Sequence, residues 1–215
     1  GIIVEGIKIK YFKDQSLIVV EQGKISKIDL NIEITSGKIE YNLKDSKINF
    51  TNKVNIDDKD NNLVIYSDKI DYDVNKQKIF GLGNTEIIDE FDNTFEVSEF
   101  EYSIKDRIIK LANTKVSDQN KNTFDLEIAF LDLNKKEIVA KDIGLNFKIS
   151  DNSENEPRLK GRSLISDERN TIVKKGTFTF CKKREKCPPW EMSAEEIKHD
   201  KKKKTIYYKN ASLKI

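Results

Sequence analysis

Apolar and polar residues alternate along most of the chain. Ile39, Tyr41 and Leu43 are separated by single polar residues, and Ile48 and Phe50 continue the pattern after a short polar stretch. A period of two is that of a β-strand with one dry face and one wet face. A helix would place apolar residues three and four positions apart and would disfavour so many β-branched residues. The pattern therefore predicts strands.

The strands recur in a repeat of about 30 residues. An Ile-x-Tyr triplet or a close variant marks each repeat, and the aromatic residues are 30, 31, 30 and 28 positions apart. The triplets lie at residues 9–11, 39–41, 70–72, 100–102 and 128–130. A tight polar turn follows each triplet, and a second turn is marked by Asn62, Asn93 and Asn122 in successive repeats. Each repeat predicts a β-hairpin, and five such hairpins must stack antiparallel to bury their apolar faces.

The third repeat departs from strict alternation. Phe95 and Val97 are out of phase with Phe100 and Tyr102. One extra residue near 98–99 would bring both pairs to the same face, so the sequence predicts a β-bulge there.

The pattern is less regular toward the C-terminus. Residues 150–158 are polar and predict a loop, with two strands after it. The last part of the chain predicts a hairpin formed by 191–199 and 205–215 around a lysine-rich turn at 201–204. A short helix over 194–199 is the alternative.

Composition narrows the class of protein. The chain has 39 basic and 37 acidic residues, so its overall charge gives no reason to expect nucleic-acid binding. No apolar run approaches the roughly 20 residues of a membrane-spanning helix, and no leader peptide opens the sequence at Gly1. We expect a soluble β-protein with a core of Ile, Val, Leu, Phe and Tyr.

The sequence contains no recognisable catalytic or metal-binding pattern. His199 is the only histidine, and the sequence has no Gly-x-Ser-x-Gly motif. Asp58, Asp60 and Asn62 begin like a calcium loop, but Leu63 stands where that loop needs glycine. We expect no catalytic residues, no metal and no cofactor.

Two cysteines bear on the cellular compartment. Cys181 and Cys187 are six positions apart and precede Pro188 and Pro189. This spacing suits a small disulfide loop, which would imply an oxidising compartment. Free thiols are the first alternative, and a zinc half-site, which would need two further ligands, is the second.

The apolar face of the repeats is the feature most relevant to function. Its members alternate with polar residues and recur in every repeat: Ile39, Tyr41, Ile48, Phe50, Ile70, Tyr72, Phe100, Tyr102, Leu111, Phe124, Ile128 and Phe130. One interpretation is an ordinary core. The other is an incompletely closed groove, in which a lipid chain would gain about 0.8 kcal/mol per buried methylene.

Stacked hairpins leave a first and a last strand with unpaired backbone groups, and such edges accept strands from other chains. The N-terminal edge, with Val4, Ile7, Ile9 and Tyr11, is a candidate for such pairing. The alternative is an edge that its lysines protect from pairing. The turn at 201–204 could contact lipid phosphates or could be a solvated turn.

The repeat and the tail together resemble a known family, the OstA-type hairpin repeats of the periplasmic bridge protein LptA and of the N-terminal domain of LptD. The tail from Cys187 to Asp200, with residues 206–215, is similar to the segment that leads into the LptD barrel, and LptA lacks such a segment. The matching positions are Trp190, Ala194, His199, Asp200, Tyr208, Asn210 and Ala211.

The resemblance implies an elongated two-sheet, V-shaped β-jellyroll over residues 1–180 and a segment over 181–215 that leads toward a C-terminal outer-membrane barrel, absent here. It implies a non-enzymatic periplasmic domain of a Gram-negative outer-membrane protein. This domain would receive lipopolysaccharide from an LptA-like bridge at its N-terminal edge and pass the acyl chains to the barrel, which binds an LptE-like lipoprotein. It also implies that the cysteines could pair with barrel cysteines. The alternatives are an LptA-like bridge, a β-scaffold without a groove, and a polysaccharide-processing enzyme.

Overall fold

The chain folds into antiparallel β-strands. A computed structural model describes residues 1–27, 30–119, 121–146, 155–182 and 190–215. These residues contain one short 3-10 turn, Lys13–Gln15, and no α-helix, which confirms the all-β prediction. The fourteen strands are β1 (Ile2–Phe12), β2 (Leu17–Lys27), β3 (Ile32–Asn42), β4 (Lys47–Asp58), β5 (Leu63–Asp73), β6 (Lys78–Ile88), β7 (Thr94–Ser103), β8 (Ile108–Ser117), β9 (Thr123–Asp132), β10 (Glu137–Asn146), β11 (Asn155–Ser166), β12 (Asn170–Lys182), β13 (Glu191–Asp200) and β14 (Thr205–Lys214).

The strands belong to two compact units, Gly1–Ile109 and Lys110–Ile215. In the first unit each strand from β1 to β7 pairs antiparallel with the next strand of the chain. In the second unit the same holds from β9 to β14. Successive hairpins therefore lie side by side, as the repeat predicts. The division predicted between residues 180 and 181 falls inside β12 and stays a prediction.

Turns of successive hairpins are hydrogen-bonded to one another. The amide of Leu43 donates to the carbonyl of Ser16 at 2.9 Å, and that of Val74 donates to the carbonyl of Ser46 at 3.0 Å. Each such bond joins residues about 28 positions apart. The bonds satisfy turn groups that the strand ladder leaves free. The repeat length is thus fixed by the stacking of one turn on the next.

The second turns are closed by asparagine side chains. Asn93 donates from Nδ2 to Asp89 at 2.9 Å, and Asn122 donates to Asp118 at 2.7 Å. In the preceding repeat it is Asn61, next to the predicted Asn62, whose Nδ2 donates to an aspartate. Asx side chains stabilise turns by bonding the local backbone, which explains the recurrence of these residues.

The strands bend near their middle. Every even-numbered strand has a non-terminal residue with positive φ, and in chain order these residues are Gln22, Asn52, Gly83, Asn113, Asp142, Lys175 and Asn210. Residues in this left-handed region interrupt the regular pleat and turn the strand. The alternation of buried residues is usually shifted by one at the bend, so that both halves of a strand face the same interior.

The third repeat contains a bulge, but the predicted position of the extra residue near 98–99 is wrong, because the bulge lies on the neighbouring strand. Leu82 lies opposite Glu99 and Thr85 opposite Val97, so two residues of β6 face one residue of β7. The extra residue is on β6, where Gly83 has a φ of 96°. The four residues that motivated the prediction, Phe95, Val97, Phe100 and Tyr102, are all buried.

The C-terminal hairpin is confirmed, and the helix over 194–199 is wrong. Ala194 and Ile197 are buried on a strand that is paired on both sides, which satisfies its backbone without a helix. The loop predicted at 150–158 is wrong for its last four residues, because β11 already begins at Asn155. Pro157 and Leu159 are buried there, and pairing with β12 extends the strand beyond its weak apolar signal.

Candidate functional site

The candidate site is the apolar interior onto which the strands turn their dry faces. In the first unit the predicted members on β3 to β7 are at most 4 % exposed: Ile39, Ile48, Phe50, Ile70, Tyr72, Phe100 and Tyr102. Tyr41 is half-buried on the same face. In the second unit Leu111 is fully buried. The repeat thus placed these side chains on the correct face.

Side chains fill the middle of the first unit. The ring of Phe100 lies over Gly81, and a Cβ on that glycine would be 2.0 Å from Cε1 of Phe100. The glycine therefore makes room for the aromatic ring of the neighbouring strand. Packing of this kind is that of a protein core.

Two of the three predicted members in β9 lie off the interior face, whereas Phe124 lies opposite the buried Leu145 on that face. Phe124 and Ile128 are half-buried and Phe130 is 42 % exposed, whereas Ala129 and Leu131 are buried. The bend shifts the alternation by one residue, so Leu131 is the counterpart of Tyr102 and Phe130 faces outward. The assignment of Ile128 and Phe130 to the dry face is wrong.

The adjacent turn carries a signal that would have given the correct phase. Asp73 directly follows the interior residue Tyr72, and its Oδ1 accepts the amide of Lys76 at 3.0 Å. Asp132 makes the same contact with the amide of Lys135 at 3.0 Å. The residue before the capping aspartate is therefore the interior residue, and in β9 that residue is Leu131.

The interior is uncovered at the N-terminal strand. Ile9 lies opposite Val20 and Tyr11 opposite Ile18, so both face the interior. Val20 is fully buried, yet Ile9 is 53 % exposed and Tyr11 is 58 % exposed. No strand covers them within the described part of the unit.

The C-terminal strand of the second unit is uncovered in the same way. Tyr208 lies opposite the buried Ile197, and Leu213 opposite Met192. Tyr208 is 37 % exposed and Leu213 is 57 % exposed. Apolar positions that are buried in inner strands are thus solvent-exposed in both terminal strands.

The N-terminal edge residues are placed as follows. Val4 is half-buried, and Ile7 is 79 % exposed at the bend of β1. Lys8 extends toward the neighbouring strand, where its Nζ lies 3.8 Å from Oε2 of Glu21. β1 has a single hydrogen-bonded neighbour, β2, so one side of its backbone is an edge.

An open groove of about 580 Å³ crosses the first four strands at their bends. Small residues form much of its floor, among them Gly6, Gly23, Ser36 and Gly37. Gly6 and Gly23 lie against the side chain of Val20, whose Cγ1 would be within 2.7 Å of a Cβ on either. The side chain of Val20 therefore fills the space that side chains at these two positions would need.

A polar cluster, which we call the clasp, joins strands that are not neighbours in the sheet. The hydroxyl of Tyr102 on β7 donates to the carboxylate of Asp58 at the end of β4. Asn61 donates to the same carboxylate from its amide at 3.2 Å and from Nδ2 at 2.8 Å. Arg107 approaches Asp60 at 3.9 Å beside them. The sheet of the first unit is therefore folded over, so that β7 meets the end of β4.

The clasp is buried, and burial changes the pKa of its tyrosine. Asp58 is fully buried and Tyr102 is fully buried. Burial, followed by the charge of Asp58, raises the pKa of Tyr102 well above its usual value. Sequence reasoning considered Asp58 only as a calcium ligand, and the alternation of residues gave no signal for a contact across 44 positions.

Tyr72 has no such partner. Its hydroxyl is buried without a hydrogen bond. Burial, with a smaller contribution from Tyr41, raises the pKa of Tyr72 to about 12. A buried hydroxyl without a partner is unfavourable and is available to a polar group of a ligand.

The described residues give no contacts for the cysteines and no candidate metal site. Cys181 belongs to β12, but its side chain lies outside the described structure, as does the whole of Cys187. In the part of the chain that is described, no group of three potential metal ligands converges. No helix in that part has the length and hydropathy needed to cross a membrane.

Comparisons with known proteins give similarity to solved structures but none in sequence. No known family model and no curated protein matches the sequence. Among solved structures, the crystal structure of LptH is similar to this chain; LptH is described as the LptA homologous periplasmic component of the lipopolysaccharide transport device of Pseudomonas aeruginosa. The similarity has a TM-score of 0.47 at 15 % sequence identity, over 52 % of this chain and 82 % of LptH.

Proposed function

We propose that this chain is a periplasmic domain that binds lipopolysaccharide and passes its acyl chains along an apolar path. The observation that carries the proposal is the exposure of interior-facing residues at both terminal strands, such as Ile9 and Tyr208. Their counterparts in inner strands are buried. Each unit therefore has an apolar interior that is uncovered at one terminal strand, and such an interior is suited to continue into another protein there.

Acyl chains are ligands that match such an apolar surface. Each methylene transferred from water to an apolar surface contributes about 0.8 kcal/mol, so one chain of a dozen carbons gains several kcal/mol. The exposed residues of β1 and the groove across β1 to β4 offer such a surface. Because side chains fill the interior between β3 and β7, a chain would enter at an end and displace them as it moves.

The two terminal strands are the places where partner proteins would bind. In this proposal an LptA-like bridge adds a strand to β1 along Val4, Ile7, Ile9 and Tyr11, which extends both the sheet and the apolar face. β14 leads in the same way toward an outer-membrane barrel with its LptE-like lipoprotein. The resemblance of the tail from Trp190 to Ala211 supports this direction. The cysteines would join the domain to itself or to that barrel.

Site-specific photo-crosslinking to lipopolysaccharide tests the proposal. A photoreactive residue at Ile9 is expected to capture the lipid, and one at the adjacent Lys10, which faces outward, is not. Tyr72 inside and Asp71 outside form the same comparison in mid-sheet. Equal capture at neighbouring positions would refute a path along the interior. Capture at neither Ile9 nor Tyr72 would favour a β-scaffold whose interior is filled by side chains.

The second candidate is a bridge protein like LptA. The specific observation in its favour is that β1 and β14 are both edges with exposed apolar faces, so one copy could join the next. End-to-end association predicts a mass that grows with concentration in light scattering. Ile9→Lys should abolish that growth, whereas Lys10→Gln should not. A constant monomer mass would exclude the bridge.

A further inference from the structure

The outer face of the second unit carries a row of exposed apolar residues. Phe130 lies opposite Val139, Val139 opposite Ile165, and Ile165 opposite Ile172. Phe130 is 42 %, Val139 37 % and Ile165 42 % exposed, and Ile172 is half-buried. Residues directly opposite each other in a sheet have Cβ atoms about 5 Å apart. These four side chains therefore form a continuous row, the outer apolar row.

The row continues over two more strands. Ile172 lies opposite Lys198, and Lys198 lies opposite Tyr207, which is 47 % exposed. A lysine in such a position lays its aliphatic stem along the apolar surface and keeps its ammonium group at the rim. The row thus crosses the sheet from β9 to β14 on the side away from the interior.

The fold does not require this row. The first unit has the corresponding row of outer positions, which lie opposite one another on successive strands: Lys10, Val19, Glu40, Asn49, Asp71, Phe80 and Glu101. Five of these seven are polar or charged, as expected for a solvated face. The second unit has the same architecture with apolar residues in the same place, which marks the row as a contact surface.

Basic residues border the row. The chain as a whole has a net charge of only +2, yet Lys135 and Lys136 occupy the turn at one end of the row and residues 201–204 form a lysine turn at the other. Lys141 flanks the row on β10, two positions from Val139. The basic character is therefore local.

Several of these lysines have no acidic partner. Lys141, Lys202 and Lys204 are exposed, and no carboxylate of the described residues lies within salt-bridge distance of them. Two nearby acids are engaged in the turns, since Asp132 pairs with Lys135 at 3.1 Å and Asp200 accepts the amide of Lys203 at 2.9 Å. The free positive charge at the rim is available to an anionic partner.

We propose that the outer apolar row and its lysine rim dock the second unit on the surface of a bilayer that contains anionic lipids. Exposed aromatic and aliphatic side chains flanked by lysines are the features that hold proteins at such an interface. A second copy of the chain fits less well, because pairing two such faces would bring like charges together. The surface is on the opposite side of the sheet from the lipid path proposed above and does not depend on it.

Vesicle co-sedimentation tests the docking. The probe is a vesicle of phosphatidylglycerol and phosphatidylcholine without lipopolysaccharide, compared with phosphatidylcholine alone. The protein is expected to bind the first and not the second, and to be released by salt. Lys202→Gln with Lys204→Gln should weaken binding about fivefold per lysine. Val139→Thr with Ile165→Thr should weaken it at least tenfold while retaining β-branched residues in the strands.

A matched variant in the first unit serves as control. Leu82 is 55 % exposed on the outer face, and Lys44 is an exposed turn lysine whose backbone amide alone is bonded. Leu82→Thr with Lys44→Gln removes an exposed apolar side chain and a lysine charge from the first unit, and it should leave vesicle binding unchanged. Circular dichroism shows whether each variant is folded. If Val139→Thr with Ile165→Thr does not fold, the vesicle binding of Lys202→Gln with Lys204→Gln is the test of the docking surface.

Three outcomes would overturn the docking surface. They are equal binding to both kinds of vesicle, equal loss in the control variant, and a dimer in solution that Val139→Thr with Ile165→Thr abolishes. The last would make the face an interface between copies. Photo-crosslinking at Ile9 and Tyr72 concerns the interior of the first unit, so failure of that experiment and failure of vesicle binding are distinguishable.

Discussion

Two buried tyrosines of the first unit should respond in opposite ways to the same change. The hydroxyl of Tyr102 donates to the buried carboxylate of Asp58, whereas the hydroxyl of Tyr72 has no hydrogen-bond partner. Replacing either residue by phenylalanine removes one oxygen and leaves the ring in place. The comparison therefore isolates the clasp from the packing of the aromatic rings.

The expected magnitudes follow from those contacts. A hydrogen bond to a charged group contributes about 1.5–3 kcal/mol, and Asp58 keeps two bonds from Asn61 after the loss. Tyr102→Phe should therefore lower the free energy of unfolding by about 2 kcal/mol. Burying a hydroxyl without a partner costs about 1–3 kcal/mol in mutational data. Tyr72→Phe should leave the free energy of unfolding unchanged or raise it by about 1 kcal/mol.

Urea unfolding followed by circular dichroism measures both changes, with the slope of the transition as a check that the unfolded state is the same. A double-mutant cycle gives the direct evidence. In an Asp58→Ala background, Tyr102→Phe should have little further effect. Equal destabilisation by the two phenylalanine variants, or a full effect of Tyr102→Phe without Asp58, would refute the clasp.

The remaining predictions concern pH and strand phase. The pKa of Tyr72 is raised from 10 to about 12, so above pH 10 the unfolded chain loses a proton that the folded chain keeps. The free energy of unfolding should then fall between pH 10 and pH 12, by about 1.4 kcal/mol per pH unit for this residue, and more slowly in Tyr72→Phe. An unchanged slope in urea titrations of that variant would contradict the assignment. Leu131→Ala should cost about 2–5 kcal/mol because Leu131 is buried, whereas Phe130→Ala should cost under about 1 kcal/mol; thermal unfolding that reverses this order would restore Phe130 to the interior.

Much of the fold could be predicted because its signals are local. The alternation of Ile39, Tyr41 and their neighbours gave the strands, and the break between Val97 and Phe100 indicated a bulge in the third repeat but not the strand that carries it. The lysine turn gave the last hairpin. In each case the information lies within about ten residues, where the period of the chain and the chemistry of turns decide the structure.

The candidate site was predicted less completely. Seven of its members in the first unit lie in the interior, but Phe130 lies outside because the bend of β9 shifts the phase by one residue. Phe130 was assigned to the interior because it is aromatic. The capping Asp132 is the better marker, since the residue before it, Leu131, is the interior one. The uncovered faces of β1 and β14 could not be read from residue type either, since Ile9 and the buried Ile39 occur in the same motif.

The sequence alone indicated that this protein is a stack of antiparallel hairpins with one apolar face, because strands with a period of two are joined by turn residues and each hairpin must bury its dry face against its neighbours. The tertiary structure decided which apolar residues are covered. It buries Tyr102 against Asp58, exposes Ile9 and Tyr208 at the ends, and turns Phe130 outward into a row with Val139 and Ile165. Burial depends on the strands that lie beside and across from a residue, and those neighbours are distant in the chain.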